Sequence, residues 1–205
     1  MNKYLFFFLI FITTNAFSNH HILVLGDSLT EGFGVEVSKS FPAVLEKKLN
    51  QDANIKVKIF NGGISGSTSA SGLSRLKWQL KNKIDILMLE LGANDGLRGF
   101  DITETEKNLD EIISFAKSKN VKVWLLGLYM PPNYGKKYTT DFMKMYERLS
   151  KRNKIPLFPF LLQNIAGKNE YNLSDGIHPN EKGHELIANS LVDFVKKNLN
   201  ENKIK

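Results

Sequence analysis

Five short apolar runs recur along the chain with stretches of helical period between them, and this alternation limits the fold more than any other feature. The runs cover residues 22–25, 55–60, 84–91, 121–128 and 157–159. Strands that are nearly continuous in apolar side chains have both faces covered, and strands separated by helices pair in parallel. The expected fold class is therefore α/β, a three-layer α/β/α sandwich built on a parallel sheet of about five strands. Ser40 ahead of Phe41-Pro42 reads as an N-cap that opens a helix to residue 50. Leu73, Leu76 and Leu80 share one face of a helix over 71–81, and Leu109, Ile112, Ile113 and Ala116 do so over 103–119. Thr103 and Glu106 fit a capping box for the second of these. A last helix over 180–199, with Asn180 suited to its cap, buries Ile187, Leu191, Phe194 and Val195.

The first eighteen residues have a different character. Lys3 precedes an unbroken apolar run from Tyr4 to Ile12, and Ala16-Phe17-Ser18 is a small-x-small tripeptide. This is the anatomy of a secretory signal peptide, expected to be cleaved near Ser18. The run is too short for the roughly 20 residues of a spanning helix, so an exported protein is expected. Residues 19–205 form one domain, with no linker, repeat or low-complexity tract. A single core of that size needs no disulfide or metal staple. The chain has no cysteine, which excludes a thiol nucleophile, a redox pair and any thiolate metal site.

In parallel α/β sheets, functional groups gather at the carboxyl ends of the strands, beside the point where strand order reverses. The residues that follow the strands bear this out at the level of composition. Gly26-Asp27-Ser28-Leu29 follows the first strand, Asn61-Gly62-Gly63-Ile64-Ser65-Gly66 the second, and Gly92-Ala93-Asn94-Asp95-Gly96 the third. Asp175-Gly176-Ile177-His178-Pro179 stands just before the last helix. A serine hydroxyl becomes nucleophilic only beside a general base, and that base needs a third group to hold its tautomer. Ser28, His178 and Asp175 can fill these roles, with Gly176 permitting a tight turn between the last two. A tetrahedral oxyanion needs preorganised donors, for which the Ser28 and Gly66 backbone N–H groups and the Asn94 side-chain amide are candidates. Asp27 and Asp95 are read as carboxylates that organise their loops.

Together these four segments resemble the conserved blocks of the GDSL-type SGNH hydrolases, in the same order and across nearly the whole of residues 19–205. The stretches LELGANDGLRGF (89–100) and PNYGKKY (132–138) are similar to the bacterial periplasmic acyl-CoA thioesterase, lysophospholipase and arylesterase subgroup. The chain departs from that pattern at Met130-Pro131-Pro132, where a single proline is expected. The resemblance implies a flavodoxin-like sheet and hydrolysis of acyl esters or thioesters by Ser28, His178 and Asp175. It assigns the oxyanion hole to Ser28, Gly66 and Asn94, and implies a periplasmic enzyme. Leu97, Phe100, Met130, Pro131, Tyr134 and Ile177 are the expected lining of an acyl groove. Within the same chemistry a carbohydrate O-deacetylase is the alternative, and a catalytically silent lipid- or glycan-binding module would use the same cleft.

Other classes find less support. No Gly-Lys-Ser/Thr follows the glycines at 62–66, no GxGxxG opens a dinucleotide site, and the G-x-S-x-G elbow is missing. No HExxH or carboxylate cluster points to a metal, and no cofactor is expected. His184 is read as a packing residue of the last helix. Lysine and arginine number 28 against 21 aspartate and glutamate, for a net charge of +7. The basic pairs are dispersed with no interleaved aromatic stripe, so no nucleic-acid partner is expected. At most a weak contact with an anionic membrane surface follows from the charge. The expected partner is a small-molecule acyl ester or lipid, met by a monomer.

Overall fold

The computed structural model describes residues 19–200. The leader expected at 1–18 lies outside the described residues. Five parallel strands form one sheet: β1 (Asn19–Gly26), β2 (Lys56–Gly63), β3 (Ile86–Leu89), β4 (Lys122–Leu126) and β5 (Leu157–Phe158). Their spatial order is β2-β1-β3-β4-β5. The chain thus steps outward from β1 to β2, then returns past β1 to β3, so the order reverses beside β1. The central strands are apolar because both faces are covered: Ile22 to Leu25 and Leu87 to Leu89 have no exposed surface. On the edge strand β2, buried Val57 and Ile59 alternate with exposed Lys56 and Lys58.

Among the described residues seven α-helices accompany the sheet: α1 (Ser28–Glu31), α2 (Phe41–Leu49), α3 (Ser69–Gln79), α4 (Ala93–Leu97), α5 (Ile102–Ser118), α6 (Lys136–Asn153) and α7 (Glu181–Asn200). Helix α2 packs with α7, while α3 packs with α5 and α5 with α6. Edge-to-face contacts of Phe194 with Trp124 (6.0 Å) and Phe158 (5.5 Å) seat α7 against β4 and β5. None of the helices among the described residues is long and apolar enough to cross a membrane.

Several local features differ from the sequence-based expectation. Residues 136–153, left unassigned by the sequence reading, form the 18-residue α6. Its buried Phe142, Met145, Tyr146 and Leu149 sit at helical spacing among many polar and charged positions that mask the period. Helix α5 is capped by Asp101, whose Oδ1 accepts the Thr103 N–H at 2.7 Å, instead of by a Thr103–Glu106 box. The helix starts one residue earlier than Thr103, and Glu106 turns outward to pair with Arg148 and Arg152 of α6. The Ser40 hydroxyl occupies the expected cap position of α2 but donates to the Val37 carbonyl (2.7 Å).

His184 takes over that capping task. Fully buried on α7, it accepts the Phe41 N–H on Nδ1 at 3.2 Å and stacks on the Phe41 ring. It therefore satisfies an orphan donor of α2 and ties the two helices together. Burial, with the nearby His178 charge adding to it, holds its imidazole down to about 4. The unfolded chain thus binds one more proton between about 6.5 and about 4, so stability falls as pH drops through that window. The loss attributable to His184 is about 3 kcal/mol. His184→Gln keeps an acceptor for the Phe41 N–H and removes the titration. Urea unfolding of both proteins between about pH 7 and about pH 4 should show the wild type losing more stability. Parallel pH profiles would contradict this account.

Candidate active site

The reversal of strand order beside β1 brings the carboxyl ends of β1, β2 and β3 to one edge. Ser28 opens α1 directly after β1, and Asp27 caps that helix by accepting the Leu29 N–H at 3.0 Å. Gly32, in the left-handed region at φ 88°, ends the helix after one turn. The short helix lies hard against the strand ends. A Cβ on Gly63 would stand 2.1 Å from the Glu31 backbone nitrogen, and one on Gly26 would stand 2.1 Å from the Thr30 hydroxyl. Arg75 of α3 reinforces the junction, its Nη2 donating to the Gly26 carbonyl (2.8 Å) and to that of Gly62.

His178 and Asp175 arrive from the turn that precedes α7. Asp175 Oδ1 accepts the backbone N–H groups of Ile177 and His178, both at 3.0 Å, in a turn that Gly176 completes at φ 74°. Asp175 Oδ2 meets His178 Nδ1 at 2.8 Å, and His178 Nε2 meets Ser28 Oγ at 2.9 Å. The backbone and ring N–H groups of His178 hold the Asp175 carboxyl down at about 2. A carboxylate only accepts, so Nδ1 carries the ring hydrogen and the Nε2 lone pair faces the Ser28 hydroxyl. The Phe33 ring lies against the imidazole with centroids 4.6 Å apart.

The expected oxyanion donors surround Ser28. Asn94, in the first turn of α4 after β3, donates one amide N–H to Asp27 Oδ2 at 3.1 Å, which fixes the amide and leaves its second N–H free of that bond. Gly66 adopts φ 75° on the loop after β2, and Arg98 Nη2 donates to its carbonyl at 3.2 Å. That loop is held from the other side by Glu31 Oε2, which accepts both the N–H (2.7 Å) and the hydroxyl of Ser65. Asp95 accepts the Ser69 N–H (2.9 Å) and hydroxyl (2.5 Å), anchoring the start of α3. Burial pushes the Asp27 carboxyl up to about 6, although the Leu29 and Asn94 donors pull the other way.

A cleft of about 770 Å³ opens beside Ser28. Of the expected groove residues, Leu97, Met130, Pro131 and Ile177 line it. Phe100 and Tyr134 are not among its lining residues. The Tyr134 hydroxyl instead donates to the Leu97 carbonyl (2.7 Å), so this residue supports the wall from behind. Phe100 is about half exposed, and its carbonyl accepts the Tyr138 hydroxyl at 3.0 Å. The sequence reading missed Tyr129 and Phe160, which stack in parallel at 4.2 Å in the wall. They follow β4 and β5, so applying the strand-end rule to all five strands would have found them.

A model of the GDSL-like lipase/acylhydrolase family matches residues 24–186. The chain belongs to that family. Among its relatives, an arylesterase of Vibrio mimicus is 37% identical over 183 residues, covering 89% of this chain and 91% of the relative. The thioesterase 1/protease 1/lysophospholipase L1 of Escherichia coli K12 is 38% identical over 184 residues, covering 89% and 86%. Among solved structures, the psychrotrophic esterase EstA of a Pseudoalteromonas species superposes with a TM-score of 0.84 at 34% identity, covering 88% of this chain and 99% of that one. The seat of the Ser28 turn on the sheet edge can be tested at Gly63. Gly63→Ala should push α1 off the end of β2, cost about 1–3 kcal/mol of stability and lower turnover. An unchanged urea midpoint together with unchanged ester hydrolysis would show that the close approach is dispensable.

Proposed function

We propose that this GDSL-like acylhydrolase is a serine esterase that cleaves carboxylic esters or thioesters of acyl chains. The observation that carries the reading is the His178 imidazole, bonded to Ser28 on one nitrogen and to Asp175 on the other at the mouth of an apolar cleft. In the first half-reaction Ser28 Oγ attacks the carbonyl carbon while His178 Nε2 takes its proton. The ring then holds two N–H groups, and Asp175, whose carboxyl titrates only near about 2, offsets the new positive charge. The carbonyl oxygen becomes an oxyanion, received by the N–H groups of Ser28 and Gly66 and the amide of Asn94. Collapse of this intermediate expels the alcohol or thiol, which collects the proton from Nε2. Water activated by the same imidazole then attacks the acyl-enzyme and regenerates Ser28.

All of these groups come from one chain, so a monomer suffices. With residues 1–18 read as an export signal, the reaction takes place in the periplasm on ester or lipid substrates that reach it. The apolar wall of Leu97, Met130, Tyr129 and Phe160 favours an acyl chain over the O-acetyl group of a sugar, whose hydroxyls would demand polar partners.

Ser28→Ala should abolish hydrolysis of a chromogenic acyl ester with circular dichroism unchanged, and more than a few per cent of residual turnover would sink the nucleophile assignment. Asn94→Ala should lower kcat about 100- to 1,000-fold, the usual effect of losing one oxyanion donor. Lengthening the acyl chain from acetyl should raise kcat/KM by up to about fourfold per methylene until the cleft is filled, following about 0.8 kcal/mol per buried CH₂. Rates that fall with chain length, together with faster cleavage of acetylated sugars, would favour the O-deacetylase instead.

A further inference from the structure

Beneath the Ser28 turn lies a carboxyl group that the hydrolytic cycle does not use. Glu90, the residue after β3, is fully buried. Its Oε2 accepts the Asp27 backbone N–H at 3.2 Å and the Thr30 hydroxyl at 2.7 Å. Its Oε1 is buried too and meets no hydrogen-bond partner. The Arg75 guanidinium does not supply one: Nη2 is directed to the carbonyls of Gly26 and Gly62, and Nη1 is itself buried without a partner. Arg75 therefore lends Glu90 its electric field and no hydrogen bond.

Asp27 is the buried carboxyl nearest in the network, and Glu90 reaches it through the Asp27 N–H. Two such groups repel strongly when both are ionised, so one of them keeps its proton. The hydrogen bonds decide which. Asp27 accepts an N–H on each oxygen, from Leu29 and from Asn94, and that pattern stabilises an anion. Glu90 has an oxygen that no donor approaches, where a proton displaces no existing bond. We propose that the pair holds a single negative charge, on Asp27, and that Glu90 is a neutral carboxylic acid positioning the turn that carries Ser28.

Glu90 touches none of the reacting atoms, so its role is one of positioning. Its Oε2 fastens the turn on both sides of Ser28, through the backbone N–H of Asp27 and the side-chain hydroxyl of Thr30. Gly26 makes this contact possible, since a Cβ there would lie 2.3 Å from Oε2. The charge state matters as well as the bonds. Asp27 already places one anion behind the Asn94 amide, and a second on Glu90 would oppose the oxyanion that this amide is to receive. Desolvation first, then the Asp27 charge, push the Glu90 carboxyl well above the usual range, while Arg75 of α3 pulls it back. Tyr146 of α6 also feels its charge, and Glu31 and Asp95 act at one remove through Arg75 and Tyr146. A carboxylic acid held neutral in an apolar site is a recognised device for running chemistry near neutrality.

The positioning role rests on Ser28 as nucleophile, whereas the assignment of charge does not. Infrared difference spectra of wild type against Glu90→Gln at neutral pH should show the carbonyl stretch of one protonated carboxyl, lost in the variant. Glutamine mimics the neutral acid, so Glu90→Gln should keep turnover within about threefold, while Glu90→Ala should lose about tenfold or more in kcat with KM little changed. If the alanine variant fails to fold, the glutamine variant carries the test. In alkali the wild type should lose turnover as Glu90 ionises, and this limb should be missing from Glu90→Gln. Absence of the protonated-carboxyl band, or a band that survives in Glu90→Gln and disappears in Asp27→Asn, would overturn the assignment. Equal losses in the glutamine and alanine variants would overturn the role of a neutral acid. An active Ser28→Ala would undo the esterase reading and leave the infrared band standing.

Discussion

The nearness of the Gly26–Glu31 segment to the ends of β1 and β2 is the constraint on which the site depends. Two positions without a Cβ, Gly26 and Gly63, let a four-residue helix lie directly on the sheet edge. From that seat Ser28 reaches His178, Asp27 reaches Asn94, and Glu31 reaches the loop of Gly66. Overpacking of a well-filled interior usually costs a few kcal/mol; at Gly63 the displaced atoms are backbone, which cannot swing aside, and at Gly26 they are the hydrogen-bonded side chains of Thr30 and Glu90. Both glycines end strands, so repulsion of an added methyl group outweighs any gain in strand propensity from replacing them.

Polar contacts in this molecule differ widely in worth. Lys107 and Glu104 form an ion pair on the exposed face of α5, and such pairs contribute about 0–1 kcal/mol. Glu106 is more sheltered, and its two arginine partners join α5 to α6. The buried set of Asp27, Glu90 and Thr30, with the half-buried Asn94 amide beside it, carries more weight, because each buried member left unpaired would keep its full desolvation cost. Stability and chemistry therefore meet at the same few groups behind Ser28.

Much of this was legible in the sequence because the signals were local. Apolar runs marked strands, and the strand-end segments carried Ser28, Asn94, Asp175 and His178, which the fold gathers at one edge. The features that escaped were decided by tertiary competition. Ser40 has the composition of a cap, yet a histidine 143 positions away in sequence accepts the N–H of Phe41 instead. Thr103 and Glu106 match a capping box, but Asp101 captures the helix start and two arginines capture the glutamate. Glu90 lies within a hydrophobic run that reads as a strand, and only the arrangement of Thr30, Asp27 and Arg75 around it shows its place behind the Ser28 turn.

The bond between Ser28 and His178 spans 150 positions of the chain. The serine stands beside the first strand and its partner just before the last helix, so a fragment must span from one to the other to hold both. A growing chain cannot make this contact until residue 178 has been synthesised and the turn that carries it has docked. Under the proposed mechanism, hydrolysis is accordingly a report that these two distant segments have met. A single ester substrate then serves as a sensor of completed folding, sensitive to damage in segments far from the carbonyl being cleaved.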